Sequence, residues 1–306
     1  MTTRAEWVAV DWGTSNLRAW GIDASGNTVF TRSSPKGMGK LTREEFPGAL
    51  TELLEGAETG SGAVDVLICG MAGARQGWLE APYLDTPADL RGLFAGAVRP
   101  EMPGSRYLPA ILPGVCQKTI GAENVMRGEE TQLLGLHVLM PEFSGVVCMP
   151  GTHSKWAALE AARITRFATA MTGEMYEVLR THSVLRHSLA GDLDGPGRAE
   201  GFDAGVDAGL ARPDNLLGLL FSVRAGSLLS NRQPDWCAGY LSGLLIGCEI
   251  GAHRDWIGDA EVPLIGASAL CALYVKALAK VGAKARLIDA TEAVLAGLKA
   301  ARQFAV

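Results

Sequence analysis

The chain has little that would mark it for a membrane, an oxidising compartment or a nucleic acid. No apolar run reaches the length of a bilayer span. The opening residues, MTTRAEWVAVDW, contain no long apolar segment of the signal-peptide kind, so a cytoplasmic location is expected. Six cysteines, Cys69, Cys116, Cys148, Cys237, Cys248 and Cys271, form no C-x-x-C pair, and several sit in apolar runs. They read as reduced core thiols. Five histidines, His137, His153, His182, His187 and His253, lack the E-x-x-H or C-x-x-C company of a zinc site. With 28 basic against 33 acidic residues the net charge is −5, which argues against nucleic acid as a partner. What is present is core material. Hydrophobic residues make up 48% and charged residues 20% of 306 positions, ample for two domains.

The stretch Val8 to Asp23, VAVDWGTSNLRAWGID, organises the chain. An apolar run ends at Asp11, a Gly-Thr-Ser turn reverses it, and Leu17 to Trp20 leads away as a second strand. Gly13 lets a ligand approach the backbone, and Thr14, Ser15 and Asn16 offer donors to phosphate oxygens. Asp11 is placed to hold Mg²⁺, directly or through water. The same residues also fit an ordinary hairpin with a solvated tip.

A turn at Ala24 to Asn27 and a strand at Thr28 to Thr31 complete an antiparallel meander. Helical spacing of Phe46, Leu50, Leu53 and Leu54 predicts a helix over 42–58, with Pro47 in its first turn. An apolar strand, Val64 to Gly70, runs into the loop GMAGARQGW, where Arg75, Gln76 and Trp78 stand at a strand's C-terminal end. Arg75 there suits a substrate carboxylate, or equally a solvated surface beside a packing tryptophan. A short helix is expected over 88–97 and a strand over 106–112. In VMRGEETQLLGLHVL, residues 125–139, Gly128 precedes Glu129 and Glu130 in a first helical turn. Both complement the helix dipole, and neighbouring side chains diverge by about 100 degrees, so at most one is expected to face a ligand, Glu130 ahead of Glu129.

The second half repeats this order. Gly145 to Pro150 is a strand, Gly151-Thr152-His153-Ser154 a tip, Lys155 to Leu159 and Ile164 to Ala170 further strands, and a helix follows from Thr172 with Met175, Val178, Leu179 and Leu185 on its apolar positions. Two independent hairpins would not be expected to share both tip chemistry and the elements that follow. Val262 to Leu278 is a strand, the small turn Gly266-Ala267-Ser268 and an apolar helix, a junction that suits a nucleotide. A strand at 285–289 and a helix at 291–302 complete the pattern. The Gly-rich stretch Gly239 to Gly251 reads as a buried helix or a subunit interface, so a homo-oligomer is one expectation.

On DWGTSNLRAW, MRGEETQLLG, MPGTHSKW and LIGAS the chain resembles the sugar kinase/actin/Hsp70 ATPase superfamily, and within it the 2-dehydro-3-deoxygalactonokinase family, over essentially its whole length. The resemblance implies an α/β fold of two ribonuclease H-like domains facing each other across a nucleotide-binding cleft. The expected limits are 1–140 and 141–289, with the helix at about 290–306 packing back on the first domain. It implies ATP and Mg²⁺ as cofactors, with Asp11 acting on the metal and Gly13, Thr14 and Ser15 on the γ-phosphate. Gly151, Thr152 and His153 would hold the β- and γ-phosphates, and Gly266, Ala267 and Ser268 would lie near adenosine. Related enzymes open the connecting helix with Asn-Asp, the Asp being the base. Here the pair is Glu129-Glu130. A second departure is Met149-Pro150, where many superfamily members carry an acidic residue.

The implied reaction phosphorylates the 6-hydroxyl of 2-dehydro-3-deoxy-D-galactonate in sugar-acid catabolism, and Arg18, Arg75, Gln76, Lys155 and Arg224 are the candidates for binding the substrate. Two rivals remain at this level. One is a kinase of the same fold for another sugar acid such as 2-keto-3-deoxygluconate, and the other is a nucleotide-dependent ATPase or sensor with no acceptor.

Overall fold

The computed structural model describes residues 4–259 and 261–304; the expected domain limits at 1 and 306 fall outside them. In chain order the elements are β1 (Trp7–Trp12), β2 (Leu17–Ile22), β3 (Thr28–Ser34), α1 (Phe46–Leu54), β4 (Val64–Gly70), β5 (Tyr83–Asp85), β6 (Ala88–Asp89), β7 (Tyr107–Ile111), β8 (Gly114–Gln117), β9 (Asn124–Met126) and α2 (Glu129–Leu139). There follow β10 (Ser144–Met149), β11 (Ser154–Glu160), β12 (Arg163–Ala170), α3 (Thr172–His182), α4 (Arg198–Ala211), α5 (Leu216–Leu229), α6 (Pro234–Ala252), β13 (Val262–Gly266), α7 (Ser268–Ala279), β14 (Ala285–Asp289) and α8 (Ala290–Gln303). The chain divides into two compact units. The first takes in the chain up to Ser144, Leu159–Arg166 and the chain from Ala290; the second takes in Gly145–Ala158 and Phe167–Asp289. No described helix is long and apolar enough to cross a membrane.

The main sheet of the first unit runs β3-β2-β1-β4-β7. β1 pairs antiparallel with β2 and parallel with β4, so the meander and the crossover strands share one central strand. Alternation puts Val8, Val10 and Trp12 into one core with Leu50, Leu54, Val66 and Ile68. Trp12, Phe46 and Trp78 form an aromatic cluster there, with ring centroids 4.9 to 6.1 Å apart. α8 lies against β1 and β4, which explains why Trp7 and Ala9 are buried as well. α8 also crosses α2 at very short range. A Cβ on Gly135 would sit 1.8 Å from the carbonyl oxygen of Ala293, and one on Gly297 would sit 1.9 Å from that of Thr131.

The sheet of the second unit carries β14-β13-β10-β11-β12, the spatial order of the first sheet with β10 in the place of β1. Its helical layer answers the question posed by Gly239 to Gly251. Gly201, Gly205 and Gly209 of α4 face carbonyls of α6, and Gly239, Gly243 and Gly247 of α6 face Arg198, Phe202 and Val206 of α4. Six missing side chains let two backbones meet, and the stretch is buried inside its own unit.

Several sequence expectations shift in detail. The helix expected over 42–58 is shorter, because Thr42 and Glu45 close a capping box around a 3-10 turn and α1 starts only at Phe46. The helix expected over 88–97 is instead the short strand β6 and a 3-10 segment, Leu90–Gly96, whose start is capped by the Asp89 carboxylate on the Arg91 amide. Leu185 lies beyond α3, since the Ser183 side chain accepts from the Leu185 amide and begins a 3-10 turn. Val178 points to solvent.

Candidate active site

The tip of the first hairpin is built on the 3-10 turn at Met38–Lys40 and the Gly37 before it. Gly13 N–H donates to Asn16 C=O at 2.9 Å, while the carbonyls of Gly13, Thr14 and Ser15 accept from Met38, Gly39 and Gly37. Gly37 is required there, because a Cβ would fall 2.3 Å from the Ser15 carbonyl carbon. The tip carbonyls are thus engaged from below, and the amides of Thr14 and Ser15 donate to no acceptor among the described residues. That is the arrangement an anion needs. The tip lines a pocket of about 710 Å³ with Asp11, Arg18, Ser33 and Ser34. Asp11 and Arg18 are register partners, and Arg18 donates to Asp11 Oδ2 at 2.7 Å and to the Thr291 hydroxyl at 3.0 Å.

Beside this tip stands the start of α2. Gly70 ends β4 with φ +90 and its Cα approaches Gly128, whose φ is +105; these two backbones meet in conformations that L side chains rarely adopt. Glu130 follows, fully buried. Its Oε2 accepts from the Gly128 amide at 2.6 Å and its Oε1 from the Thr131 hydroxyl at 3.0 Å. Burial, reinforced by the Glu129 charge, pushes its pKa up to about 7. Glu129 is half-buried and accepts from the Arg127 amide. Cys69 marks the proximity of the two acidic positions. It is the register partner of Asp11, and its thiol is driven well above the usual range by burial and by the charges of Asp11 and Glu130. The divergence of adjacent helical side chains therefore turns Glu130, not Glu129, into the interior.

In the second unit the tip Gly151–Ser154 is held by its neighbours. The Gly151 amide and the Ser154 hydroxyl are 3.4 Å apart, and Ser154 Oγ is 3.0 Å from the Tyr274 hydroxyl. Thr152 C=O accepts from Glu174 of α3, and the His153 ring bonds the Glu174 carboxylate. Lys155 is buried and donates to the Thr169 hydroxyl at 2.8 Å. Gly266 closes against Pro150, where a Cβ would stand 2.8 Å from the carbonyl oxygen. Ala267 and Ser268 are exposed at the start of α7.

The remaining candidates have partners or exposure of their own. Arg75 is exposed and ion-paired to Glu80, Gln76 is exposed, and Trp78 belongs to the aromatic core, which is the solvated-surface alternative noted for this loop. Arg224, on α5, donates to the Ser188 hydroxyl rather than to either tip. Arg127 was not among the expected site residues. It is buried, donates from Nη2 to Ala81 C=O at 2.7 Å, stacks 4.4 Å from the Tyr83 ring centroid, and its Nε and Nη1 have no hydrogen-bond partner among the described residues. Its place in MRGEE, one residue ahead of Gly128 and the glutamate pair, was the signal available. No group of three or more His, Cys, Asp or Glu among the described residues could hold a metal ion by itself.

The comparisons with known proteins agree with one another. The family model of 2-keto-3-deoxy-galactonokinase matches residues 11–301. A Rhizobium meliloti (strain 1021) protein named probable 2-dehydro-3-deoxygalactonokinase is 42% identical over 303 residues, covering 98% of each chain. The 2-dehydro-3-deoxygalactonokinase of Escherichia coli (strain K12) is 33% identical over 296 residues, covering 96% of this chain and 97% of its own. A crystal structure from Sinorhizobium meliloti carrying the same enzyme name superposes with a TM-score of 0.90 at 40% identity, covering 97% of this chain and 98% of that one. The activator of 2-hydroxyisocaproyl-CoA dehydratase from Clostridium difficile shares the fold alone, with a TM-score of 0.50 at 12% identity, covering 98% and 95%. The chain belongs to the 2-keto-3-deoxy-galactonokinase family of sugar-acid kinases.

Proposed function

We propose that this chain transfers the γ-phosphoryl group of ATP to the 6-hydroxyl of 2-dehydro-3-deoxy-D-galactonate, with Glu130 as general base. The observation that carries this reading is a buried carboxyl group with a pKa of about 7, close enough to Asp11 that both act on the Cys69 thiol. A base is most effective when its pKa lies near the working pH, and burial is what brings a glutamate there. The 6-oxygen attacks phosphorus in line, its proton passes to the Glu130 carboxylate, and the bond from phosphorus to the β,γ-bridging oxygen breaks to release ADP.

The transition state is loose, so the protein contributes positioning and charge. The unengaged Thr14 and Ser15 amides, with Gly13, are assigned to the γ-phosphate. Gly151, Thr152 and His153 are assigned to the β- and γ-phosphates, and Gly266, Ala267 and Ser268 to the adenosine. The repeated sheet order supports reading each unit as a ribonuclease H-like domain. A single carboxylate beside phosphate-binding amides suits Mg²⁺, which keeps several waters and takes most other ligands from phosphate. Asp11 would hold the ion, which when bound offsets phosphate charge. Arg18, bonded to Asp11, and Lys155, which follows the second tip, are assigned as the cations that offset phosphate charge.

The test is an ADP-release assay with Mg²⁺ on 2-keto-3-deoxygalactonate, 2-keto-3-deoxygluconate, galactose and no acceptor, with Glu130→Gln and Glu129→Gln alongside. Turnover with the galactonate derivative alone, lost in Glu130→Gln, is the expected result. Acceptor-independent hydrolysis sinks the kinase reading. Loss confined to Glu129→Gln moves the base by one residue.

A further inference from the structure

Glu249 sits in the last turn of α6, 5% exposed, and the reaction described above does not use it. Four donors converge on its carboxylate. Trp156 Nε1 donates to Oε1 at 2.8 Å, the Tyr274 hydroxyl donates to Oε2 at 2.7 Å, the Thr172 hydroxyl also donates to Oε2, and the Ser154 hydroxyl bonds the same group. The backbone is tied in as well, since His253 Nδ1 bonds the Glu249 carbonyl at 2.8 Å and its ring stacks on Trp156 at 5.0 Å.

The donors come from three elements, Ser154 and Trp156 from β11, Thr172 from α3 and Tyr274 from α7, and each element adjoins a position assigned above to the nucleotide. Ser154 ends the second tip and bonds the Gly151 amide. Thr172 is the first residue of α3, the helix whose Glu174 amide holds Thr152 C=O. Tyr274 lies on α7, the helix that Gly266-Ala267-Ser268 opens. A buried carboxylate is expensive, and an apolar residue would fill the same space more cheaply. The Trp156 indole can only donate, so a glutamine could keep that bond only by turning its amide N–H toward the Tyr274 and Thr172 hydroxyls, reversing the bonds that tie α7 and α3 to this group.

We propose that Glu249 is a positioning residue for nucleoside triphosphate: it sets the Gly151–Ser154 tip and the start of α7 in the geometry that takes the phosphates and the nucleoside. The proposal rests on the assignment of those loops to ATP.

The experiment measures steady-state kinetics and titration calorimetry with Mg-ADP on the full chain, for wild type, Glu249→Gln, Tyr274→Phe and Gly151→Val. Expected is a KM for ATP raised roughly tenfold in Glu249→Gln, a smaller rise in Tyr274→Phe, weaker Mg-ADP binding in both, and a sugar-acid KM within about twofold of wild type. A merely structural role would lower the melting temperature or the active fraction and leave the KM for ATP unchanged, and that result overturns the proposal. Should Glu249→Gln fail to fold, Tyr274→Phe decides by the same criterion. Gly151→Val separates the two levels of inference. If it raises the KM for ATP while Glu249→Gln and Tyr274→Phe do not, the positioning role is wrong and the tip assignment stands. If none of the three changes it in an active kinase, the tip assignment itself is wrong and the positioning role falls with it.

Discussion

Arg18 holds Asp11 across the base of the first hairpin, Nη2 to Oδ2 at 2.7 Å, and reaches on to the Thr291 hydroxyl at the start of α8. The one carboxylate of that tip therefore shares its place with a permanent cation. A guanidinium and a divalent ion compete for the same oxygen. Arg18→Met is expected to lower the Mg²⁺ concentration for half-maximal rate severalfold, read from a Mg²⁺ titration at fixed ATP. A raised sugar-acid KM with unchanged Mg²⁺ dependence would assign Arg18 to the substrate instead.

Glu130 links activity to stability with opposite signs. Its carboxyl group rises from 4.5 to about 7 on folding, so the unfolded chain ionises first. Stability from this group is fully present below pH 4.5 and is lost as pH rises through about 7, a difference on the order of 3 kcal/mol. Glu130→Gln should melt higher than wild type at pH 8, with the gain shrinking toward pH 4.5. Turnover should fall by about 10²- to 10⁴-fold. In wild type, kcat should climb with pH up to about 7, as the base ionises. Melting curves and pH–rate profiles on both proteins check each half separately.

Glycine has opposite value at two helix positions. Gly297→Ala puts a methyl group 1.9 Å from the Thr131 carbonyl, beside Glu130, and should cost roughly 1–3 kcal/mol by forcing α8 off α2. Gly48, on α1, has nothing within 4 Å of an added Cβ, and Gly48→Ala should stabilise by about 0.4–1 kcal/mol. Urea melts of the two variants should move to opposite sides of wild type.

Arg127 offers a counterintuitive stability test. Its guanidinium is buried, Nε and Nη1 have no partner among the described residues, and it contacts one carbonyl and one aromatic face. Removing a charge that is desolvated and poorly bonded costs less than breaking a matched pair. Arg127→Met should melt at or above the wild-type temperature; a drop of many degrees would show that the Ala81 bond and the Tyr83 contact outweigh the desolvation.

Much of the fold was legible because its signals are local. Strand alternation around Val8 to Trp12, the Gly-Thr tips and the Glu129-Glu130 helix start each lie within a few residues, and the strands and α2 appear there. The misreadings were also local contests. At 88–97 and after Ser183, a side-chain cap on the backbone diverted a helical pattern into 3-10 turns.

The sequence by itself determined the two like hairpins, the strands and helices directly beside them and the family, because turn chemistry and hydrophobic period act between near neighbours. Only the tertiary structure decided what those residues touch. Arg18 meets Thr291 across 273 positions and Trp156 meets Glu249 across 93, and no period in a sequence encodes such pairs. Burial did the rest: it moved the Glu130 carboxyl group toward neutrality, left Arg127 without full partners, and gathered four donors around Glu249, since the electrostatic cost of a charge depends on the packed surroundings and not on its neighbours along the chain.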